Sequence, residues 1–121
     1  MRDYLPDSAS YFVNQGMYDF YPWRLLNRES QYEYITKGVE PDGSGNGKVY
    51  VFAKREDTAD FAGLEIVDSK ITDRVICFRS LFAEGDSKSS WNIVRAIHDD
   101  VFAFIANHVV ADMRALVQSS K

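Results

Sequence analysis

KVYVFAKREDTADFAGLEIV, residues 48–67, reads as a strand, a turn and a second strand. Val49, Tyr50, Val51, Phe52 and Ala53 form an unbroken apolar run, the pattern of a strand covered on both faces. In the second arm Ala62, Leu64 and Ile66 alternate with Gly63 and Glu65, which predicts one buried face. Between them the charged tip KREDTAD, residues 54–60, gathers three carboxylates and two cations.

The strand pattern continues outward. RVICF, residues 74–78, predicts a third strand, reached through a polar connection over residues 68–73. Residues 91–97 read either as a fourth strand or as the first turns of the last helix; Trp91, Ile93 and Val94 favour the strand, because β-branched and aromatic side chains suit a pleated surface. Short polar turns between closely spaced strands imply an antiparallel meander. From Asp99 onward the period changes to that of a helix. Val101, Phe104, Ile105, His108, Val109, Met113, Leu116 and Val117 fall on one stripe. Asp99 and Asp100 stand at its start, where carboxylates complement the helix dipole. Upstream, Tyr11, Phe12 and Val13 followed by Asn14, Gln15 and Gly16 read as the end of a short helix, with Gly16 in the position after the cap. Pro22 forces Tyr21 toward an extended conformation. Residues 27–35 read as a short, mostly exposed helix or turn. The expected class is α+β: an antiparallel sheet of about four or more strands with flanking helices, the long C-terminal helix packed on the sheet.

The chain has 121 residues, the length of one domain, so residues 1–121 are expected to form a single unit. The formal net charge is −4, and no cluster of Lys and Arg fits a phosphate-tracking surface, which disfavours nucleic acid as a direct partner. One cysteine, Cys77, cannot form an internal disulfide. The N-terminus lacks the apolar core of a secretory signal, and no window approaches the ~20 apolar residues of a membrane span. The expected location is cytoplasmic, without a membrane partner.

Each candidate for chemistry meets a plainer reading. The glycines of EPDGSGNG, residues 40–47, precede a strand rather than opening a helix, so a surface loop is favoured over a phosphate cradle. Cys77 lies between Ile76 and Phe78 in a strand, where a thiol packs as a small hydrophobe. His98 and His108 are ten residues apart, nearly three turns if both lie on one helix, so they cannot share a metal from that helix alone. No metal or other cofactor is expected. Glu56, Asp57 and Asp60 could serve as acid and base, but a turn tip is exposed, and Lys54 and Arg55 can neutralise the charge. A hydrolase built on Asp57, Asp60 and His98 would require those groups to converge in a pocket. Tyr18, Phe20, Tyr21 and Trp23, with Asp19 inside the run, suit either core packing or a protein partner, especially a basic one.

MYDFYPWRLL, residues 17–26, resembles the proline–tryptophan segment of the SUKH superfamily, which includes the yeast cell-wall synthesis regulators and many bacterial relatives. VFAKREDTADFA, residues 51–62, is similar to that family's strand–turn–strand, RVICF to its next strand, and the C-terminal helix matches by position and character. The resemblance spans roughly residues 11–113. It implies a compact α+β domain that binds proteins without chemistry: an immunity protein neutralising a cognate toxin, often a nuclease, or a regulatory adaptor of the cell wall. On this reading no residue is catalytic, the partner is a protein such as a basic toxin domain, and the expected contact residues are Tyr18, Asp19, Tyr21, Trp23, Asp57 and Asp60.

Overall fold

The computed structural model describes residues 5–35, 48–82 and 90–119. Helix α1 (Asp7–Gln15) is followed by strands β1 (Asp19–Phe20), β2 (Trp23–Leu25), β3 (Tyr32–Ile35), β4 (Lys48–Arg55), β5 (Asp60–Val67), β6 (Lys70–Phe82) and β7 (Ser90–His98). The chain then turns into α2 (Val101–Phe104), a π-helical segment (Ile105–Val109) and α3 (Val110–Ser119). The described strands form one antiparallel sheet in the order β1-β2-β4-β5-β6-β7, with β3 also paired to β4. The α+β arrangement of an antiparallel sheet with an N-terminal helix and a long C-terminal helix is therefore the fold.

Strand β4 organises the sheet. One edge pairs with β5; the other is shared, with Tyr32↔Val51 to Ile35↔Lys48 from β3 and Trp23↔Arg55 to Leu25↔Ala53 from β2. On the β5 side the register slips between Val51↔Gly63 and Ala53↔Ala62, leaving Phe52 as the extra residue of a bulge. The slip divides the apolar run between two cores. Phe52 and Ala53 join Trp23, Leu25, Ala62, Leu64, Val75, Cys77, Val101 and Phe104 in the larger cluster, whereas Val49 and Val51 pack with Leu26, Ile76 and Phe78. The continuous apolar pattern thus reflects burial on both faces, as expected of it.

Helices α1 and α2 cover the larger cluster. The Gly16 expectation holds: φ is 69°, the Gly16 N–H donates to the Val13 carbonyl and the Met17 N–H to the Phe12 carbonyl, a Schellman closure. Ser8, buried, ties three elements together: its hydroxyl donates to Asp73 at 2.7 Å and accepts from the Val101 N–H at 3.1 Å. Asp100 caps α2 by accepting from the Ala103 N–H at 2.8 Å.

Three expectations change. Residues 27–35 are not a helix: after a turn closed by Asn27, β3 begins at Tyr32. The connection expected over residues 68–73 is only Asp68 and Ser69, both at positive φ, a two-residue hairpin turn without glycine. Strand β6 therefore starts at Lys70 and accommodates its polar residues through a slip between Leu64↔Val75 and Ile66↔Ile71, where Thr72 and Arg74 bond to Glu65. Residues 91–97, for which strand was favoured over helix, lie within β7; the loop expected over residues 40–47 falls outside the described residues. Val101–Ser119 is 19 residues long with a mean hydropathy of 1.2, which by length and composition would suffice to cross a membrane. Its first half is a core helix, with Val101, Phe104 and Val109 fully buried against the sheet.

Gly63 marks a close approach between β5 and β4, since a Cβ there would lie 2.7 and 2.8 Å from side-chain atoms of buried Val49. Gly63→Ala should destabilise the fold by about 1–3 kcal/mol through overpacking, read as a lowered urea midpoint at unchanged m-value.

Candidate functional site

A cavity of about 260 Å³ opens where the β4–β5 end of the sheet meets the C-terminal helix, lined by Trp23, Arg55, Asp60, Cys77, Phe78, Arg79, Arg95, His108 and Asp112. The register builds it. Asp60 stands opposite Arg79 in the β5–β6 ladder. On the β6–β7 side the pairing slips between Cys77↔Ala96 and Phe78↔Val94, so Arg95 is the extra residue of a bulge and is re-aimed by it. The helix crosses above, bringing His108 and Asp112 to the same place.

Asp60 is the anchored acid of the cavity. Arg79 grips it with two parallel bonds, Nε to Oδ1 and Nη2 to Oδ2, both 2.9 Å, and the Thr58 hydroxyl donates to Oδ2 at 2.9 Å. Burial alone would raise its pKa, but these hydrogen bonds and the Arg79 charge together hold the carboxyl below its ordinary range.

Asp112 is the second hub. Its Oδ2 accepts from the Trp23 indole at 2.8 Å, lies 3.2 Å from Arg55 Nη1 and 3.8 Å from His108 Nε2. Trp23 is 1% exposed and meets Phe104 and His108 edge-on. Arg55 turns its other nitrogens outward to Asp57, with Nε 2.6 Å from Oδ1.

Behind the cavity, His98 Nε2 lies 3.1 Å from His108 Nδ1. Donor atoms of Cys77, His98 and His108 all fall within 4.8 Å of one another. The pKa of each imidazole is lowered, chiefly by burial, and for His98 also by the neighbouring ring's charge; the carboxylates of Asp112 and Asp60 pull His108 the other way. Burial, then the nearby Asp60 and Asp112 charges, push the Cys77 thiol up, so on its own it is a protonated core group rather than a nucleophile.

The expected site residues divide. Tyr21, 56% exposed, Asp19 and Asp57 are at the surface, and Tyr18 is partly buried. Trp23 and Asp60, expected on a contact surface, are buried cavity walls. The carboxylate group expected at the tip is split: Asp60 points inward because Arg79 stands opposite it, while Asp57 is held outside by Arg55. Of the groups of the hydrolase reading, Asp60 lines the cavity and Asp57 and His98 are not among its lining residues. The spacing argument about the histidines assumed one helix; His98 instead ends β7, and the helix folds back over it. Arg79, Arg95 and Asp112 drew no attention in the sequence, because only strand register and the helix crossing bring them together. No protein-family model, curated protein or solved structure matches the chain.

The Asp60 pair gives a signed pH dependence. A carboxyl with a depressed folded pKa stabilises the fold above its unfolded value, about 3.9, and that contribution is lost as pH falls through the folded value. Asp60→Asn should therefore lower the urea midpoint at pH 7 and flatten the loss of stability on acidification below the ordinary carboxylate range relative to wild type.

Proposed function

We propose that this protein is a non-enzymatic protein-binding domain of the immunity type, contacting its partner through the β1–β2 turn and the β4–β5 tip. The observation that carries the reading is their juxtaposition. The Glu56 N–H donates to the Pro22 carbonyl at 2.8 Å, and Arg24 of β2 pairs with Glu56. Tyr21, the residue before Pro22, is exposed at the same end of the sheet as the carboxylates of Glu56 and Asp57, an aromatic anchor for a partner.

Charge at this end is largely internally paired, Arg24 with Glu56 and Arg55 with Asp57. Exposed pairs of this kind contribute little to stability and exchange partners readily. Affinity would come mainly from Tyr21, while the net charge of −4 would speed approach of a basic protein and select against acidic ones. The resemblance to the SUKH superfamily in residues 17–26 and 51–62 supports the same reading, because those two segments meet at this end. A basic toxin domain is the partner it implies. An envelope-regulating adaptor would use the same surface with a different protein.

The wild-type chain and the variants Tyr21→Ala and Asp57→Lys, each immobilised and offered to extract of the source cell, test this. A protein held by wild type should bind Tyr21→Ala about 2 kcal/mol more weakly, roughly thirtyfold in Kd. Its on-rate should fall with Asp57→Lys and with added salt. Recovery of small molecules alone, or equal retention of every protein by all three baits, overturns the reading; a nuclease among the retained proteins selects the immunity role over the adaptor.

A further inference from the structure

We propose that Cys77, His98 and His108 form a binding site for a transition-metal ion of the zinc class, with Asp112 orienting one of its imidazole ligands. The donors come from three elements: mid-strand β6, the last residue of β7 and the π-helical segment above them. Nothing in the chain order groups them, yet their donor atoms lie within 4.8 Å of one another. On a tetrahedral zinc ion, with zinc–sulfur near 2.3 Å and zinc–nitrogen near 2.0–2.1 Å, neighbouring donors stand roughly 3.3–3.6 Å apart. The 3.1 Å between His98 Nε2 and His108 Nδ1 is close to that separation. The remaining closure is within the reach of side-chain rotation.

Two neutral imidazoles that meet without an ion need one ring to donate to the other, and this accounts for their nitrogen–nitrogen contact alone. It does not account for the thiol beside them or for what lies behind His108. The far nitrogen of that ring, Nε2, stands 3.8 Å from Asp112 Oδ2, an ion-pair distance that a small ring rotation would have to close to a hydrogen bond, and Asp112 is itself fixed by Trp23 and Arg55. A carboxylate behind a ligating histidine sets the tautomer that leaves the other nitrogen free to bind, which is the usual support of a metal-bound imidazole. The helix contributes a second, independent sign. Five residues, Ile105–Val109, adopt the rare π form, which is frequent at functional sites and turns His108 relative to a plain α-helix. Phe104 and Trp23 wall the histidines, with ring centroids 5.7 and 5.6 Å from that of His108.

One thiolate and two imidazoles select zinc, cobalt or copper over calcium and magnesium, which prefer oxygen. Three protein ligands leave the fourth position open, as in reactive rather than purely structural zinc sites. Cys77 and His108 also line the cavity that holds Arg55, Arg79 and Arg95, cations that would favour water or a small anion as the fourth ligand.

The test is titration of chelator-treated full-length protein with cobalt(II), a spectroscopic stand-in for zinc. Wild type should saturate at one ion per chain, with a thiolate-to-cobalt charge-transfer band and the strong visible bands of a four-coordinate ion. Cys77→Ser should abolish the charge-transfer band. His98→Gln and His108→Gln should each weaken binding at least tenfold, and Asp112→Asn by 10–100-fold with the band retained. X-ray absorption of the zinc-loaded wild type needs no variant to fold: one sulfur at about 2.3 Å and two imidazole nitrogens at about 2.0 Å are expected. Absence of the charge-transfer band with excess cobalt, a first shell without sulfur, or undiminished binding in both folded histidine variants overturns the proposal.

Discussion

One strand must serve two cores and three neighbours, and the molecule is arranged around how β4 does so. Its apolar run is too long to face one side only. The bulge at Phe52 lets Val49 and Val51 fill one core and Phe52 and Ala53 the other without leaving a polar gap. Because β2 and β3 divide its free edge, the short β2 is held at the end where β4 turns into β5. That pairing sets Trp23 opposite Arg55, and so fixes both the cavity wall and the surface turn beside the charged tip.

Asp112 extends this constraint to the helix. It receives the Trp23 indole from one side and Arg55 from another, so the β2–β4 corner and the helix are joined through one carboxylate. In such a setting the carboxylate is valuable because every neighbour offers a donor; a buried charge lacking them would cost several kcal/mol. The same economy governs Asp60 and Arg79. The cavity therefore carries three guanidinium groups while both of its acids are already committed to hydrogen bonds, which leaves its free valence cationic at Arg95, for which no ion pair is seen among the described residues.

Much of the fold was legible because periodicity is local. The unbroken run of β4, the helical stripe after Asp99 and the glycine closing α1 each follow from neighbouring residues alone; the alternation of β5 predicted one buried face, whereas Gly63 and Glu65 are buried along with Ala62, Leu64 and Ile66. Strand β3 was not legible, because it is short and follows the polar segment NRES, and the start of β6 was hidden by a glycine-free turn at Asp68 and Ser69. The candidate site was nearly illegible. Asp60 looks like one more acid at an exposed tip until the ladder sets Arg79 against it. Cys77 looks like core packing, and it is, yet the β6–β7 register and the returning helix place two imidazoles on it. The SUKH resemblance rests on the same short segments and remains a proposal about lineage and role.

The last helix is uniform in sequence pattern but not in attachment. Val101, Phe104 and Val109 are fully buried, whereas α3 has no buried residue, and Val110 and Val117 are largely exposed. Regions with little buried apolar contact open locally at low free energy while the remainder stays folded. Past Asp112 and Met113 the described helix holds no buried side chain, so its distal turns open at lower free energy than its root. A single element then spans two regimes of exchange: a root that opens only with the whole domain, and distal turns that open more readily.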